Sequence, residues 1–445
     1  MESVFRLREN GTSVLREVLA GVTTFLTMSY ILVVQPNVLS QDFNGNPTGL
    51  EPGAVLLATC LASAFATALM GIYARLPIGL APGMGQNFFF VSVIMAAHAQ
   101  MAPEIAWKAA LGTVLIAGIS FFLLTLVGVR AIVLDVMSPS MRSAIAVGIG
   151  LFIALIGLRN ANVITTSAGL ITLNTEGLRS VDGVVFWGGM ITTLVLAVRR
   201  VPGSLLMGMV VAALAAWAAE KLAIDRVVGF PEFTETAVLQ IDFRFAFTLT
   251  GLSFVAVFLF MDLFDTTGTL IGVCQQANLM RDGQVPRMRE AMLADSAATV
   301  FGACLGTSTV TSYIESAAGV EQGGRTGLTA ITVAGLFLVA IAFSPLIIAL
   351  GGYAPITAPA LVTVGAMMFR NVRSIEWEDE TEAIPAFLVI LGIPIFFSIA
   401  DGIALGLIVW PMLQVARGRF AKVSWPAYLI AVILIAYFLC IRINL

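Results

Sequence analysis

Residues 76–90 read LPIGLAPGMGQNFFF, with prolines at 77 and 82 and glycines at 79, 83 and 85. Proline removes a backbone donor and clashes with the preceding helical turn, and glycine lowers helix propensity. Because no continuous helix tolerates this density, the sequence predicts a break in the backbone here. Asn87 and the phenylalanines at 88–90 place an amide and three aromatic rings at the break.

A second interrupted stretch, residues 306–319, reads GTSTVTSYIESAAG. Hydroxyl and β-branched side chains dominate it up to Ile314, which favours an extended backbone. A short helix can begin near Ser312 or Glu315. The chain therefore carries two interrupted segments, one in each half.

The composition places both breaks inside a membrane protein. Of 445 residues, 58% are hydrophobic and only 11% are charged, and the mean hydropathy is +0.95. Soluble proteins carry about 25% charged residues, so we exclude a soluble enzyme, a disordered protein and a nucleic-acid binder. The four cysteines are far apart, and the single histidine cannot form a metal cluster. The class predicted is an all-α polytopic membrane protein.

The apolar runs predict seven spans, a polar connection and seven more spans. An additional hydrophobic segment follows at Val423–Ile441, which either crosses the bilayer or is re-entrant. With the N-terminus inside, 17 of the 24 Lys and Arg residues lie in inside loops and 6 in outside loops. This bias satisfies the positive-inside rule and predicts a cytoplasmic N-terminus.

An odd number of spans in each half makes the second half inverted relative to the first, as in many transporters. The two interrupted segments fall in spans 3 and 10, which are the third span of the first half and the third span of the second. Irregular backbone at membrane depth is tolerated only where it is buried in protein or lines a cavity. The two breaks are therefore the predicted binding site.

Acidic residues inside the predicted spans are expensive to insert and mark function by default. Asp265 and Glu315 are the candidate ligands for a polar substrate or a proton. Asp262, three residues before Asp265, shares roughly one helix face with it and is equally consistent with a structural role. For Asp295 and Asp401, nearer the span ends, the structural interpretation is favoured. Burial without a basic partner favours a protonated carboxyl group, which suits proton coupling.

Five motifs resemble one transporter family. They are FRLRENGTSVLREVLAGVTTFLTMSYILVVQPNVLS at 5–40, APGMGQN at 81–87, FMDLFDTTGTL at 260–270, TSYIESAAGVEQGGRTGLTA at 311–330 and EAIPAFLVILGIPI at 382–395. In this order they resemble the azaguanine-type adenine/guanine/hypoxanthine permeases. That group is a branch of the nucleobase–cation symporters, also called nucleobase–ascorbate transporters. The resemblance covers nearly the whole chain.

The resemblance implies fourteen spans in two inverted sevens, with a short strand and a half-helix in each broken span. The two strands are expected to be antiparallel and to meet at the centre. It also implies homodimers in which a core domain moves against a gate domain like an elevator. The implied division is a cytoplasmic amphipathic lead-in (1–17), core spans 1–4 (18–129), gate spans 5–7 (130–220), an extracytoplasmic connection (221–244), core spans 8–11 (245–352), gate spans 12–14 (353–417) and the additional C-terminal hydrophobic segment (418–445).

Matching motif positions implies roles for individual residues. Asp265 and Glu315 bind the base, Asn87 contributes the polar group of span 3, and the ring of Phe88 stacks on the base. Thr269 falls where a uracil permease has a proton-linked histidine, and it is counted among the substrate-binding residues. The candidates for proton coupling are Asp265, Glu315 and Asp262. No metal or cofactor is expected, the proton being the coupling ion.

The resulting prediction is a multi-pass transporter of the cell membrane that imports purine nucleobases by proton symport. A uracil/xanthine-type permease and an anion transporter of the same architecture are the alternatives. Two central carboxylates argue against the anion transporter. A channel or a non-transporting receptor is a third class, which accumulation against a gradient would exclude. An enzyme is not expected, because the sequence has no nucleophile–base pair or phosphate loop.

Overall fold

The computed structural model describes residues 5–128, 137–167, 170–280 and 284–440. The predicted boundary at 129/130 and the predicted segment end at Ile441 lie outside these ranges. The first half consists of α1 (Val14–Met28), α2 (Tyr30–Ser40), α3 (Pro52–Leu69), β1 (Leu80–Pro82), α4 (Met84–His98), α5 (Pro103–Val127), α6 (Pro139–Asn160), β2 (Ile164–Ser167), β3 (Leu170–Leu173), α7 (Thr175–Arg179), α8 (Val181–Val198) and α9 (Ser204–Ala218).

The second half is again mostly helical. It consists of α10 (Leu249–Gln276), α11 (Met288–Leu305), β4 (Val310–Ser312), α12 (Ser316–Glu321), α13 (Gly327–Ala340), α14 (Ser344–Gly351), α15 (Ala354–Met368), α16 (Glu380–Phe396), α17 (Ile399–Ala416) and α18 (Trp425–Cys440).

Several helices are long and apolar enough to cross a bilayer, which confirms the predicted helical, polytopic membrane class. Within the described residues seven segments qualify, and a pair of helices bent by 79° makes an eighth. The seven are Val14–Ser40, Pro52–Ala74, Glu104–Val127, Pro139–Asn160, Val181–Val198, Leu249–Gln276 and Ile399–Ala416, and the bent pair is Ser344–Gly351 with Ala354–Ser374.

Local sequence explains where these helices begin and end. Prolines at 52, 103 and 139 occupy the first turn of α3, α5 and α6, where the missing N–H has no intrahelical acceptor to lose. The hydroxyl of Ser13 accepts a hydrogen bond from the N–H of Arg16 and caps α1. Gly128 ends α5 with φ of 76°, a conformation open to glycine at little cost.

The helices pack in two groups. α6, α8, α9, α15, α16 and α17 contact one another, and α1–α5 contact α10–α13. Many contacts occur in pairs related by exchange of the two halves. This exchange matches α3 to α11, α5 to α13, α6 to α15, α8 to α16 and α9 to α17. The contact of α6 with α16 then corresponds to that of α15 with α8, and the contact of α8 with α9 to that of α16 with α17. The contact of α5 with α11 likewise corresponds to that of α13 with α3. α18 follows α17 and contacts both α17 and α10.

At the centre, β1 and β4 pair with each other in antiparallel register. Leu80 is opposite Ser312 and Pro82 is opposite Val310. The ladder continues on both sides, from the N–H of Gly83 to the carbonyl of Thr309 (3.1 Å) and from the N–H of Tyr313 to the carbonyl of Gly79 (3.0 Å). Each strand thus satisfies backbone N–H and carbonyl groups of the other that no helix satisfies.

Side chains complete the strand pair where the backbone cannot. The hydroxyl of Thr67 on α3 accepts from the N–H of Leu80 (2.9 Å) and lies 3.0 Å from its carbonyl oxygen. The hydroxyl of Ser316 accepts from the N–H of Gly79 at 3.0 Å. All residues of both strands are buried. The strand pair is therefore held inside the protein.

Candidate functional site

The candidate site lies around the two strand–helix junctions. Helix α4 begins directly after β1 and carries Gln86 and Asn87 in its first turn. Glu315 immediately precedes α12, three residues after the end of β4. The third element is α10, which carries Asp262 and Asp265 in mid-helix. Residues far apart in the chain are thereby brought to one region.

Asp265 faces an open side of the protein. Its side chain is exposed, and one carboxyl oxygen accepts a hydrogen bond from Nε2 of Gln86 at 3.0 Å. This bond joins α10 to the first turn of α4. A carboxyl group that is both exposed and positioned by an amide can bind an N–H donor of a substrate.

Glu315 is half-buried and has a different partner. Its Oε1 accepts a hydrogen bond from the phenol of Tyr30 at 3.0 Å, and its main-chain carbonyl accepts from the hydroxyl of Thr27 at 3.3 Å. Glu315 and Asp265 are near enough to interact electrostatically. The structure thus brings together the two carboxyl groups that the sequence predicts as ligands.

Asn87 follows Gln86 in the first turn of α4 and is completely buried. The hydroxyl of Ser308 donates to its Oδ1, which leaves Nδ2 as a donor without a partner among the described residues. An orphaned buried N–H is costly unless water or a ligand accepts its hydrogen bond. Thr269, also predicted from sequence, lies one turn beyond Asp265 on α10 and is 6% exposed.

Phe88 belongs to an aromatic cluster formed by Phe43, Phe88, Phe152 and Phe397. The ring of Phe88 is 2% exposed, and its centroid lies 6.4 Å from Phe43 and 6.3 Å from Phe152. Phe152 in turn contacts Phe397 at 5.7 Å. The cluster joins helix α4 to α6 and to the junction of α16 and α17, so Phe88 packs between the two helix groups.

Arg159, at the end of α6, holds the outer part of this cluster. Its guanidinium lies 6.0 Å from the ring centroid of Phe397, and its Nη1 donates to the carbonyl of Phe43 at 3.2 Å. The loop that carries Phe43 is itself tied by Asp42, which accepts from the backbone N–H groups of Asn44 and Asn46, both at 2.8 Å. Arg159 therefore links two members of the aromatic cluster, Phe43 and Phe397.

Around Asp265, α10 carries exposed residues toward its C-terminal end and buried phenylalanines toward its N-terminal end. Toward the C-terminal end, Gly268 and Gln275 are exposed, and a Cβ added to Gly268 would meet no atom within 4 Å. Toward the N-terminal end, Phe254 and Phe258 are buried against Phe89. The carboxyl group of Asp265 is accordingly accessible from the C-terminal side of α10.

Asp262 is separated from this open side. It is 2% exposed and accepts a hydrogen bond from the hydroxyl of Thr299 on α11 at 2.9 Å. Asp295, completely buried, accepts from Thr266 (2.7 Å) and from Ser312 of β4 (2.9 Å). Asp262 thus binds α11 and Asp295 binds α10 and β4, whereas Asp265 is exposed and binds α4.

Comparison with known proteins identifies the family. The sequence profile of the Permease family (Xan_ur_permease) matches residues 15–405. The chain belongs to this permease family. It is 38% identical to the adenine permease AdeP of Escherichia coli over 98% of this chain and 95% of the relative. It is 40% identical to the guanine/hypoxanthine permease PbuO of Bacillus subtilis over 94% and 96%.

These relatives confirm the predicted resemblance to the adenine/guanine/hypoxanthine permeases, and the family consists of transporters rather than enzymes. Among solved structures, the transmembrane domain of the cyanobacterial bicarbonate transporter BicA has a TM-score of 0.64. That likeness covers 88% of this chain and 97% of BicA's at 15% identity. The permease thus shares its helical membrane fold with an anion transporter, and the fold does not specify the substrate.

Sequence reasoning missed the partners that hold the site residues of the permease. Tyr30, Ser308 and Gln86 bind Glu315, Asn87 and Asp265, respectively. Tyr30 sits in an apolar run and looks like a core residue, so only the rule that a buried phenol needs a hydrogen-bond partner points to it. Ser308 is one of several hydroxyl residues in its segment, and the sequence does not distinguish it from them.

Proposed function

We propose that this permease imports the purine nucleobases adenine, guanine and hypoxanthine by proton symport. The observation that carries the proposal is the pair of carboxyl groups formed by Asp265 on α10 and Glu315 at the second strand–helix junction, in a chain whose relatives include adenine and guanine/hypoxanthine permeases. Purines carry ring and exocyclic N–H groups, for which a carboxylate is an acceptor, and acceptor nitrogens, for which the unpaired Nδ2 of Asn87 is a donor.

The roles proposed for the residues follow from these contacts. Asp265 and Glu315 bind the N–H edge of the base and exchange the coupled proton. Asn87 donates to a ring nitrogen, and Thr269, one turn beyond Asp265, is a further substrate-binding residue. Phe88 stacks on the base, which requires its ring to separate from Phe43 and Phe152. Asp262 remains a candidate for proton coupling at a distance from the base, through its bond to Thr299.

We further propose fourteen spans in a 7+7 inverted repeat, with α18 as an additional segment. The helix contacts related by exchange of the halves support this arrangement. The core domain would comprise 18–129 and 245–352, and the gate domain 130–220 and 353–417. Transport would be an elevator-like movement of core against gate, with 1–17 in the cytoplasm, 221–244 outside and the protein in the cell membrane. A homodimer is proposed from the resemblance alone.

One experiment separates this function from its alternatives. Purified permease is titrated with adenine, guanine, hypoxanthine, xanthine, uracil and bicarbonate at pH 5.5 and 7.5, with thermal stabilisation as the readout. Stabilisation by the first three ligands and a pH-dependent affinity are expected. A response only to xanthine and uracil would favour the other nucleobase permeases. A response only to bicarbonate would favour an anion transporter, which the fold shared with BicA allows.

Substitution of the two carboxyl groups tests the assignment of the site. Asp265→Asn and Glu315→Gln should each lower proton-coupled purine uptake at least tenfold while the protein still inserts, because the charged acceptor is lost but the side-chain shape remains. Asp225→Asn, which changes an exposed carboxyl in the 221–244 connection, is the control. Uptake at the level of the unsubstituted permease in both site variants would refute the assignment.

A further inference from the structure

The contact between Tyr30 and Glu315 joins the first membrane-spanning segment to the second strand–helix junction. We propose that Tyr30 is a positioning residue, which holds the carboxyl group of Glu315 in its base-binding orientation throughout the transport cycle. The inference rests on the proposed function and adds to it a residue that would act through Glu315 rather than by touching the base.

Tyr30 is well placed to fix another side chain. It begins α2 after the break at Ser29 that separates α2 from α1, and its side chain is 2% exposed. Its hydroxyl lies 3.0 Å from Oε1 of Glu315. Because the tyrosine ring has two side-chain torsions and is packed on all sides, its hydroxyl is a fixed point of the protein.

Glu315, by contrast, depends on its neighbours for its position. It precedes α12, which has only six residues, too few to be stable without packing. Two contacts with α1 hold this helix. The hydroxyl of Thr27 binds the carbonyl of Glu315 at 3.3 Å, and Gly319 packs so tightly that an added Cβ would lie 2.0 Å from Oγ1 of Thr24. Contacts with the first membrane-spanning segment therefore determine the position of Glu315.

The chemistry of a phenol suits a carboxyl group that gains and loses a proton. A tyrosine hydroxyl is both a donor and an acceptor. It donates to the ionised carboxylate, and after protonation it can accept from the carboxylic acid without movement of either side chain. Tyr30 can thus keep Glu315 in one orientation in both protonation states, which an acceptor-only or donor-only partner cannot do.

The test is Tyr30→Phe, which removes the hydroxyl and keeps the ring. Binding of radiolabelled adenine and guanine is measured on purified permease, and KM and maximal uptake per transporter are measured in vesicles. A hydrogen bond to a charged group corresponds to about tenfold or more in an equilibrium constant. We therefore expect KM and the dissociation constant to rise about tenfold or more, with a much smaller change in maximal uptake.

Two comparisons separate positioning from a general loss of structure. In a Glu315→Ala background, Tyr30→Phe should change purine binding by less than about twofold, because the group it positions is gone. Tyr353→Phe is the matched control. It also removes a phenol bound to a carboxylate, that of Asp182, in a part of the protein away from the strand pair, and it should leave base binding within about twofold.

Binding by Tyr30→Phe within twofold of the unsubstituted permease would overturn the positioning role and leave the purine function standing. An equal loss of binding with and without Glu315 would also overturn it, since Tyr30 would then act on the fold in general. If the unsubstituted permease binds no purine at all, the proposed function fails, and the positioning role fails with it. Thermal unfolding of each variant shows which protein is folded.

Discussion

Glu17 is a completely buried carboxylate that ties the start of the chain to the second half of the permease. It accepts hydrogen bonds from the N–H of Arg325 (2.9 Å), of Thr326 (3.2 Å) and of Thr329 (3.3 Å). The hydroxyl of Thr329 donates a fourth, at 2.6 Å. These donors lie at the N-terminus of α13, where backbone N–H groups have no intrahelical acceptor. Glu17→Gln is therefore expected to destabilise the fold.

The contacts allow the magnitude to be estimated. In the better of its two orientations, the side-chain oxygen of the glutamine still accepts the hydrogen bonds from Thr326 and Thr329. Its NH₂ group then faces the N–H of Arg325, which is also a donor. One buried donor then lacks an acceptor, at a cost of about 1–3 kcal/mol. The remaining hydrogen bonds are weaker because their acceptor is no longer charged, and the favourable interaction of a negative charge with the helix N-terminus is lost. Together these two effects lower the stability by about 2–3 kcal/mol. The total is about 3–6 kcal/mol of stability.

The assay is thermal unfolding of purified permease at neutral pH, with Glu9→Gln as the control. Glu9 is an exposed carboxyl on the same N-terminal segment, paired with Arg6 across 3.5 Å, and exposed pairs contribute little. We expect Tm to fall by roughly 6–12 °C in Glu17→Gln, given about 2 °C per kcal/mol for a large chain, and to change by less than about 1 °C in the control. Equal Tm values for the two variants would refute the reasoning.

Two further predictions concern α12 and the polar end of α16. Gly319→Ala places a Cβ 2.0 Å from Oγ1 of Thr24, so α12 and Glu315 must shift, and purine affinity should fall about tenfold. Gly335→Ala, where the space is open, should bind normally, and equal affinities would contradict the packing argument. Hydrogen bonds from Thr381 and Arg419 hold the pKa of the Asp379 carboxyl well below its usual range. A depressed pKa gives stability that is present above about pH 4 and lost as the pH falls below it. Thermal scans at pH 3–6 should therefore show a steeper acid loss in the permease than in Asp379→Asn, and parallel curves would exclude this linkage.

The sequence predicts the membrane class and the location of the two breaks for physical reasons that act locally. Apolar runs report burial in lipid or protein, and clustered prolines and glycines forbid a helix wherever they occur. The pairing of β1 with β4 is different. It joins residues about 230 positions apart, and only the family resemblance predicts it.

For the acidic side chains, too, local sequence predicts some features, and tertiary contacts decide the others. A spacing of three residues does place Asp262 and Asp265 on neighbouring faces of α10, about 60° apart. That angle is enough to bury one against α11 and expose the other. Glu17 lies in the predicted cytoplasmic lead-in, yet it is buried against α13. Its carboxyl oxygens accept hydrogen bonds from groups near α13, such as the N–H of Arg325, 308 residues away, and no local sequence pattern reveals these bonds.

The strand pair has a consequence for how the protein is made. β1 is synthesised about 230 residues before β4, and at about 5–20 residues per second this interval is roughly 10–50 s. During that time the backbone groups of β1 lack the partner that they have in the finished protein, and lipid cannot replace it. The first half of the permease must therefore remain in a hydrated or chaperoned state until the second half arrives. The candidate site is complete only after Glu315, residue 315 of 445, has been synthesised.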